Sequence, residues 1–186
     1  MHAMVLNPTL PGWEETFERC VTRLGVKAVR LLPGFHDYAL TDPVLDRVNE
    51  LLRKYRLPLL LTLRIRDERS SWMIHPRKIA IDELTAYLDK SKDIVTILSC
   101  LRANEMVKLK EYFLSRNNLF TDVSGFKDGN FIIEKACELI GSAHIVYGSS
   151  APLLNLQSTT ILVDEANLPQ EIKDDIFAGT TLLSQI

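Results

Sequence analysis

Apolar residues along this chain alternate between two patterns. Short runs that end in turn residues cover Met4 to Leu6, Ala28 to Leu32, Leu57 to Leu63, Val95 to Leu101, Leu119 to Val123 and Ile145 to Ser149. Most are apolar at consecutive positions, as expected of parallel strands covered on both faces. Between the first two runs, Trp13, Phe17, Cys20, Val21 and Leu24 fall at helical spacing and Gly25 supplies a C-terminal stop. Asp42-Pro43 offers an N-cap and a first-turn proline for a second helix, whose apolar face is Val44, Leu45, Val48, Leu51 and Leu52. Weaker helical periodicity covers Ile79 to Leu88, Met106 to Leu114 and Phe131 to Ile140. The segment from Asn167-Leu168-Pro169 to Gly179 reads as a capped closing helix followed by an apolar tail.

A repeated strand-helix order predicts an α/β protein with a parallel sheet, either open and doubly wound or part of a closed barrel. A glycine-rich phosphate loop would favour the open sheet. The strand ends carry Leu32-Pro33-Gly34-Phe35, Arg64-Ile65-Arg66-Asp67 and Gly148-Ser149-Ser150, none with dinucleotide or Walker spacing. The 186 residues are of one-domain size, spanning 1–186, with enough apolar content to bury a core. A formal net charge of -2 gives no field that recruits nucleic acid or an anionic membrane. Cys20, Cys100 and Cys137 are odd in number and far apart, which fits reduced cytoplasmic thiols better than a disulfide framework. The N-terminus lacks a basic region and its apolar run is too short for a leader or a membrane span.

Three stretches together resemble the amidohydrolase-related family, TIM barrels that include decarboxylases and lactone hydrolases. Leu24 to Pro33 followed by Tyr38 to Pro43 is similar to its strand ending in proline and its "D-P" helix start. Leu57-Pro58-Leu59-Leu60-Leu61-Thr62 resembles its "L-P-x-x-x-H" strand, and Ile145 to Leu153 resembles "I-x-F-G-S-D-x-P". The tail from Leu168 to Leu183 looks like its closing helix. The resemblance implies a parallel (β/α) TIM-barrel fold with about six of the eight units, since a full barrel takes roughly 250 residues. The strand that carries the family's "H-x-H" pair is among the two missing.

The family holds a divalent metal such as zinc, and this sequence departs from its ligand set. Thr62 and Cys100 stand where the resemblance implies histidines, and Ser150 where it implies the aspartate that binds metal and acts as base. The expectation is no metal and no other cofactor, because hydroxyls and one thiol do not make a zinc site. Cys100 reads as a small buried core residue rather than a lone thiolate ligand. Among His2, His36, His75 and His144 no two share a helix face or strand edge. His36, just beyond a strand end, is the best candidate for polar chemistry, although His36-Asp37 would also serve simply to organise a loop. His75 suits loop packing.

If Thr62 faces the barrel axis, period-two alternation sends Arg64, and Arg66 if the strand runs on, to the same side. Arg102 has the parity of Cys100, and Arg30 lies on a neighbouring strand. Such arginines would grip a small anionic molecule or would pair with Asp67, Glu68, Asp37 or Asp122. Asp122 would point inward as a satisfied pair or as the remnant of a polar site. Three readings stay open: a barrel hydrolase with disabled metal chemistry, a binding or assembly protein using the basic mouth, and a metal-free enzyme with His36 and Asp122 as acid and base. No nucleic-acid or membrane partner is expected. A homo-oligomer is, because missing units leave strand edges open, unless the β-branched run Ile161-Leu162-Val163 pairs as a strand or packs as a cap.

Overall fold

Strands and helices alternate along the whole of the computed structural model, which describes residues 2–65, 76–127 and 129–179. The six strands stand in one sheet in chain order: β1 (Ala3–Leu6), β2 (Ala28–Leu31), β3 (Leu59–Thr62), β4 (Thr96–Ser99), β5 (Leu119–Asp122) and β6 (Ile145–Val146). The β1–β2, β2–β3 and β5–β6 pairings are parallel. Five of the six strand candidates contain one of these strands, and the first, Met4 to Leu6, lies within β1, which starts one residue earlier at Ala3. By its internal contacts the chain divides into two units, 1–96 and 97–185.

In the first unit, α1 (Trp13–Leu24) ends where Gly25 takes the left-handed conformation, with φ 63°. Asp42 accepts the Val44 N–H at 3.0 Å and starts α3 (Val44–Tyr55), as its Asp-Pro start requires. Between them lies a single turn, α2 (Pro33–His36), with proline at its first position. The alternate strand positions Val29, Leu31, Leu59 and Leu61 are buried, as are Phe17 of α1 and Leu45, Val48 and Leu52 of α3, and α4 (Ile81–Lys90) adds Leu84 and Leu88 to this core. The Tyr87 hydroxyl donates to Asn49 Oδ1 at 2.8 Å, which satisfies both buried groups. Arg77 grips Glu83 through both terminal nitrogens at 2.9 and 2.7 Å, and Glu83 also accepts the Leu40 N–H. Replacing Glu83 by Ala is expected to cost about 2 kcal/mol in urea unfolding, because a nearly buried acceptor of three donors disappears.

In the second unit, α5 (Ala103–Leu114) and α6 (Ile132–Ile140) bury Met106, Leu109, Phe113, Ile133 and Ala136 around β5 and β6. The run Ile161 to Val163 is not a strand. It belongs to α7 (Leu156–Asp164), where helical spacing buries Val163 and leaves Ile161 58% exposed. The outer side of β6 is met instead by α8 (Gln170–Ala178): the Tyr147 N–H donates to Ile176 O at 2.8 Å, and Gly179 lies against Val146. That bond is also why β6 stops at Val146 and not at Ser149. Among the described residues no helix is long and apolar enough to cross a membrane.

Candidate functional site

Three strand ends of the second unit converge on one hydrogen-bonded cluster. At the end of β4 the chain turns sharply, for Cys100 has φ 61°, and α5 begins at Ala103. At the end of β5, Asp122 opens a single 3-10 turn, Val123–Gly125, by accepting the Ser124 N–H at 3.1 Å. Beyond β6, Gly148 leads to Ser150, which also holds a positive φ, 53°. Cys100 Sγ sits 3.2 Å from Ser124 Oγ and 3.5 Å from Ser150 Oγ. The Cys100 N–H donates to Ser124 Oγ at 3.0 Å and to Asp122 Oδ1 at 3.3 Å. Ser124 Oγ donates to Asp122 Oδ1 in a short bond. One carboxyl oxygen thus takes three donors. Left-handed conformations at two non-glycine residues store a small strain, which is typical of positions held for function.

Two glycines make this convergence possible. A Cβ on Gly125 would lie 2.1 Å from Leu101 O and 2.5 Å from the Cys100 carbonyl carbon. A Cβ on Gly148 would lie 2.9 Å from Asp122 Oδ2. Both let main chain approach where any side chain would force it apart. Asp122 is 5% exposed, and burial drives its pKa above the ordinary aspartate range against the opposing pull of the Ser124 and Cys100 donors. The Ser99 hydroxyl faces this carboxyl but misses hydrogen-bond geometry.

The remaining candidates lie elsewhere. Thr62 ends β3 in the first unit, 2% exposed, and its hydroxyl has no partner among the described residues. His36 is half-buried in α2 between the rings of Phe35 and Tyr38; burial holds its imidazole below the usual histidine value, and its Nδ1 is unpartnered among the described residues. His144 serves structure, with Nδ1 2.8 Å from Leu119 O. β3 ends at Thr62 and β4 at Ser99, so Arg64 and Arg102 lie beyond the strands whose alternation was expected to place them. Arg102 is instead the N-cap residue of α5, its N–H donating to Glu105 Oε2 at 3.0 Å. Arg64 is half-buried and engaged. Arg66 and His75 lie outside the described residues. Ser124 is the member that sequence reading missed; the Asp-x-Ser spacing of an Asx turn was its signal.

Solved structures share this architecture. The 2,6-dihydroxybenzoate decarboxylase from Rhizobium matches with TM-score 0.66 and 16% identity over 97% of this chain and 70% of that one. An uncharacterised TIM-barrel protein from Bordetella bronchiseptica matches with TM-score 0.76 and 14% identity, over 98% of this chain and 66% of its own. A dihydroxybenzoic acid decarboxylase from Polaromonas sp. JS666, solved with bound manganese and the inhibitor 2-nitroresorcinol, gives 0.64 and 16%, over 93% and 65%. The fold is a partial TIM barrel. No protein-family model matches the sequence, and no curated protein does. The expected parallel (β/α) architecture with about six units is therefore what the chain has.

The Cys100, Ser124, Asp122 and Ser150 cluster does not fit a divalent metal. Thiol and hydroxyl groups meet a carboxyl whose Oδ1 is already taken and whose charged form is disfavoured, with no imidazole in the cluster. Among the described residues no three His, Cys, Asp or Glu side chains group as ligands.

Proposed function

We propose that this chain is an amidohydrolase-related barrel that binds a small carboxylate at its strand ends, with the family's metal-dependent hydrolysis or decarboxylation disabled. The observation that supports this is Asp122. Its Oδ1 is held by Ser124 and the Cys100 main chain, and burial favours its neutral form. A carboxyl committed in this way is a poor metal ligand, and the adjoining Cys100 and Ser150 do not replace imidazole and carboxylate.

Titration calorimetry with manganese and with zinc tests the reading, together with carbon dioxide release from 2,6-dihydroxybenzoate. Neither metal should bind stoichiometrically with Kd below about 0.1 mM, and added manganese should not elicit turnover. One tightly held equivalent accompanied by turnover would overturn it.

A second reading keeps acid catalysis without metal, favoured by the upward shift of Asp122, which leaves it a proton to donate. Turnover in metal-free buffer that disappears in Asp122→Asn would select it.

A further inference from the structure

β1 stands at the end of the sheet, paired with β2 and with no other strand among the described residues. His2 O accepts the Lys27 N–H at 2.9 Å. Main-chain direction alternates along a strand, so Met4 and Leu6 also turn their N–H and C=O groups to β2, and those of Ala3 and Val5 point off the edge. Such an edge is normally blunted by a charge, a proline or a bulge. This one has none: Ala3-Met4-Val5-Leu6 is apolar and its register with β2 is unbroken. Val5 is 56% exposed, Leu10 just beyond the strand 57%, and Leu24 at the end of α1 66%.

The helix beside this edge has an unpartnered flank as well. α1 joins β1 to β2, and its Glu14 and Glu18 reach α3 through Arg47 and Lys54, both at 2.9 Å. At about 100° per residue the opposite flank carries Trp13, Thr16, Cys20 and Arg23. Thr16 and Arg23 are exposed, while Trp13 and Cys20 are half-buried. Arg23 makes no ion pair or hydrogen bond with a described residue.

We propose that this edge and flank form a twofold interface with a second copy of the chain, β1 pairing antiparallel with the partner's β1 and α1 packing antiparallel on the partner's α1. Centring both elements on one axis brings Ala3 opposite the partner's Val5, so the outward groups of the two strands exchange hydrogen bonds. Strands about 4.8 Å apart, with each α1 over its own β1–β2 pair, put the two helices about 10 Å apart, the distance at which helices pack. On that axis the small Thr16 and Cys20 meet at the closest approach. Trp13 then lies against the partner's Arg23, an aromatic face for a cation that has no counter-ion among the described residues of its own chain. A four-residue strand alone is too small an interface. With the helix flank the patch extends roughly 18 Å along α1 and 20 Å through the two layers, the small end of specific interfaces, and a reversible micromolar dimer is expected. The interface depends neither on Asp122 nor on a ligand, so its failure leaves the proposed function untouched.

Sedimentation equilibrium of the whole chain from about 1 to 200 µM tests it on wild type, Ala3→Pro and Thr16→Arg, each shown folded by its thermal transition. Proline is tolerated at the first residue of an edge strand, and there it deletes one outward N–H from each copy. Arginine at the exposed Thr16 leaves the monomer's core alone and blocks the approach of the helices. Wild type should pass from monomer to dimer across the range, and each variant should raise the dimer Kd about tenfold or more.

An unchanged Kd in either folded variant would overturn the interface, as would assembly beyond the dimer. A wild type that stays monomeric throughout would overturn it too. Slow hydrogen exchange at the Ala3 and Val5 amides of that monomer would then assign the edge to another segment of the same chain.

Discussion

Gly125→Ala is expected to cost the protein about 4 kcal/mol or to prevent the 97–185 unit from folding. The added methyl would sit 2.1 Å from Leu101 O, 2.5 Å from the Cys100 carbonyl carbon and 2.6 Å from Leu101 N. All three are main-chain atoms, so no side-chain rotation relieves the overlap. The Cys100–Leu101 peptide would have to move, yet its position is fixed on both sides. Upstream, the Cys100 N–H is bound to Asp122 and Ser124; downstream, Leu101 is fully buried and α5 begins two residues later. Relief at Gly125 thus breaks the cluster that holds three strand ends together. A loss of that size lowers the melting temperature by roughly 8 to 16 °C. Gly12→Ala is the control, since its φ of 71° is unfavourable for alanine but nothing lies within 4 Å of the new Cβ. It should cost about 1 kcal/mol. Equal melting temperatures for the two variants would contradict the close approach at Gly125.

The strands were legible in the sequence because parallel strands covered on both faces are apolar without a break, as in Leu59-Leu60-Leu61 and Thr96-Ile97-Leu98. The helices were legible where a stop or start residue framed an apolar stripe, as Gly25 does for α1 and Asp42 for α3. Strand ends were not, and the candidate site lives there. Alternation cannot be extended through Cys100 to Arg102, because β4 ends at Ser99 and Cys100 itself is left-handed, and nothing in a cysteine announces a positive φ. Ile161-Leu162-Val163 looked like a strand on composition. Its neighbours supply helix logic instead: Asn155 caps by accepting the Gln157 N–H at 2.9 Å, and the Thr159 and Thr160 hydroxyls bond back to Leu156 O. Substitution of the expected metal positions was readable one residue at a time. Their union into a Cys100, Ser124, Asp122 and Ser150 network was not, because Ser124 has no counterpart in the motifs that carried the resemblance.

Asp122 carries the second large effect, and its sign depends on which substitution is made. Asp122→Ala removes the acceptor for the Ser124 hydroxyl and main-chain N–H and for one branch of the Cys100 N–H. These donors are buried, so the loss should be about 3 kcal/mol. Asp122→Asn keeps an oxygen at Oδ1 and the neutral state permanently. In the wild type, burial raises the folded pKa above the ordinary value of 3.8. The folded protein therefore holds this proton more tightly than the unfolded chain does. The stability this group contributes is fully present below the unfolded pKa and is lost as pH rises through the folded one. Urea unfolding of both proteins at several points from about pH 4 to pH 8 reads the difference directly. Wild type should lose stability relative to Asp122→Asn as pH rises, with the asparagine variant at least as stable at the upper end. Parallel curves would show that the carboxyl titrates alike in both states, and a relative gain by wild type would mean that it is held as a carboxylate. Either result would remove the physical reason for regarding Asp122 as a poor metal ligand, and the metal-free reading of the strand ends would go with it.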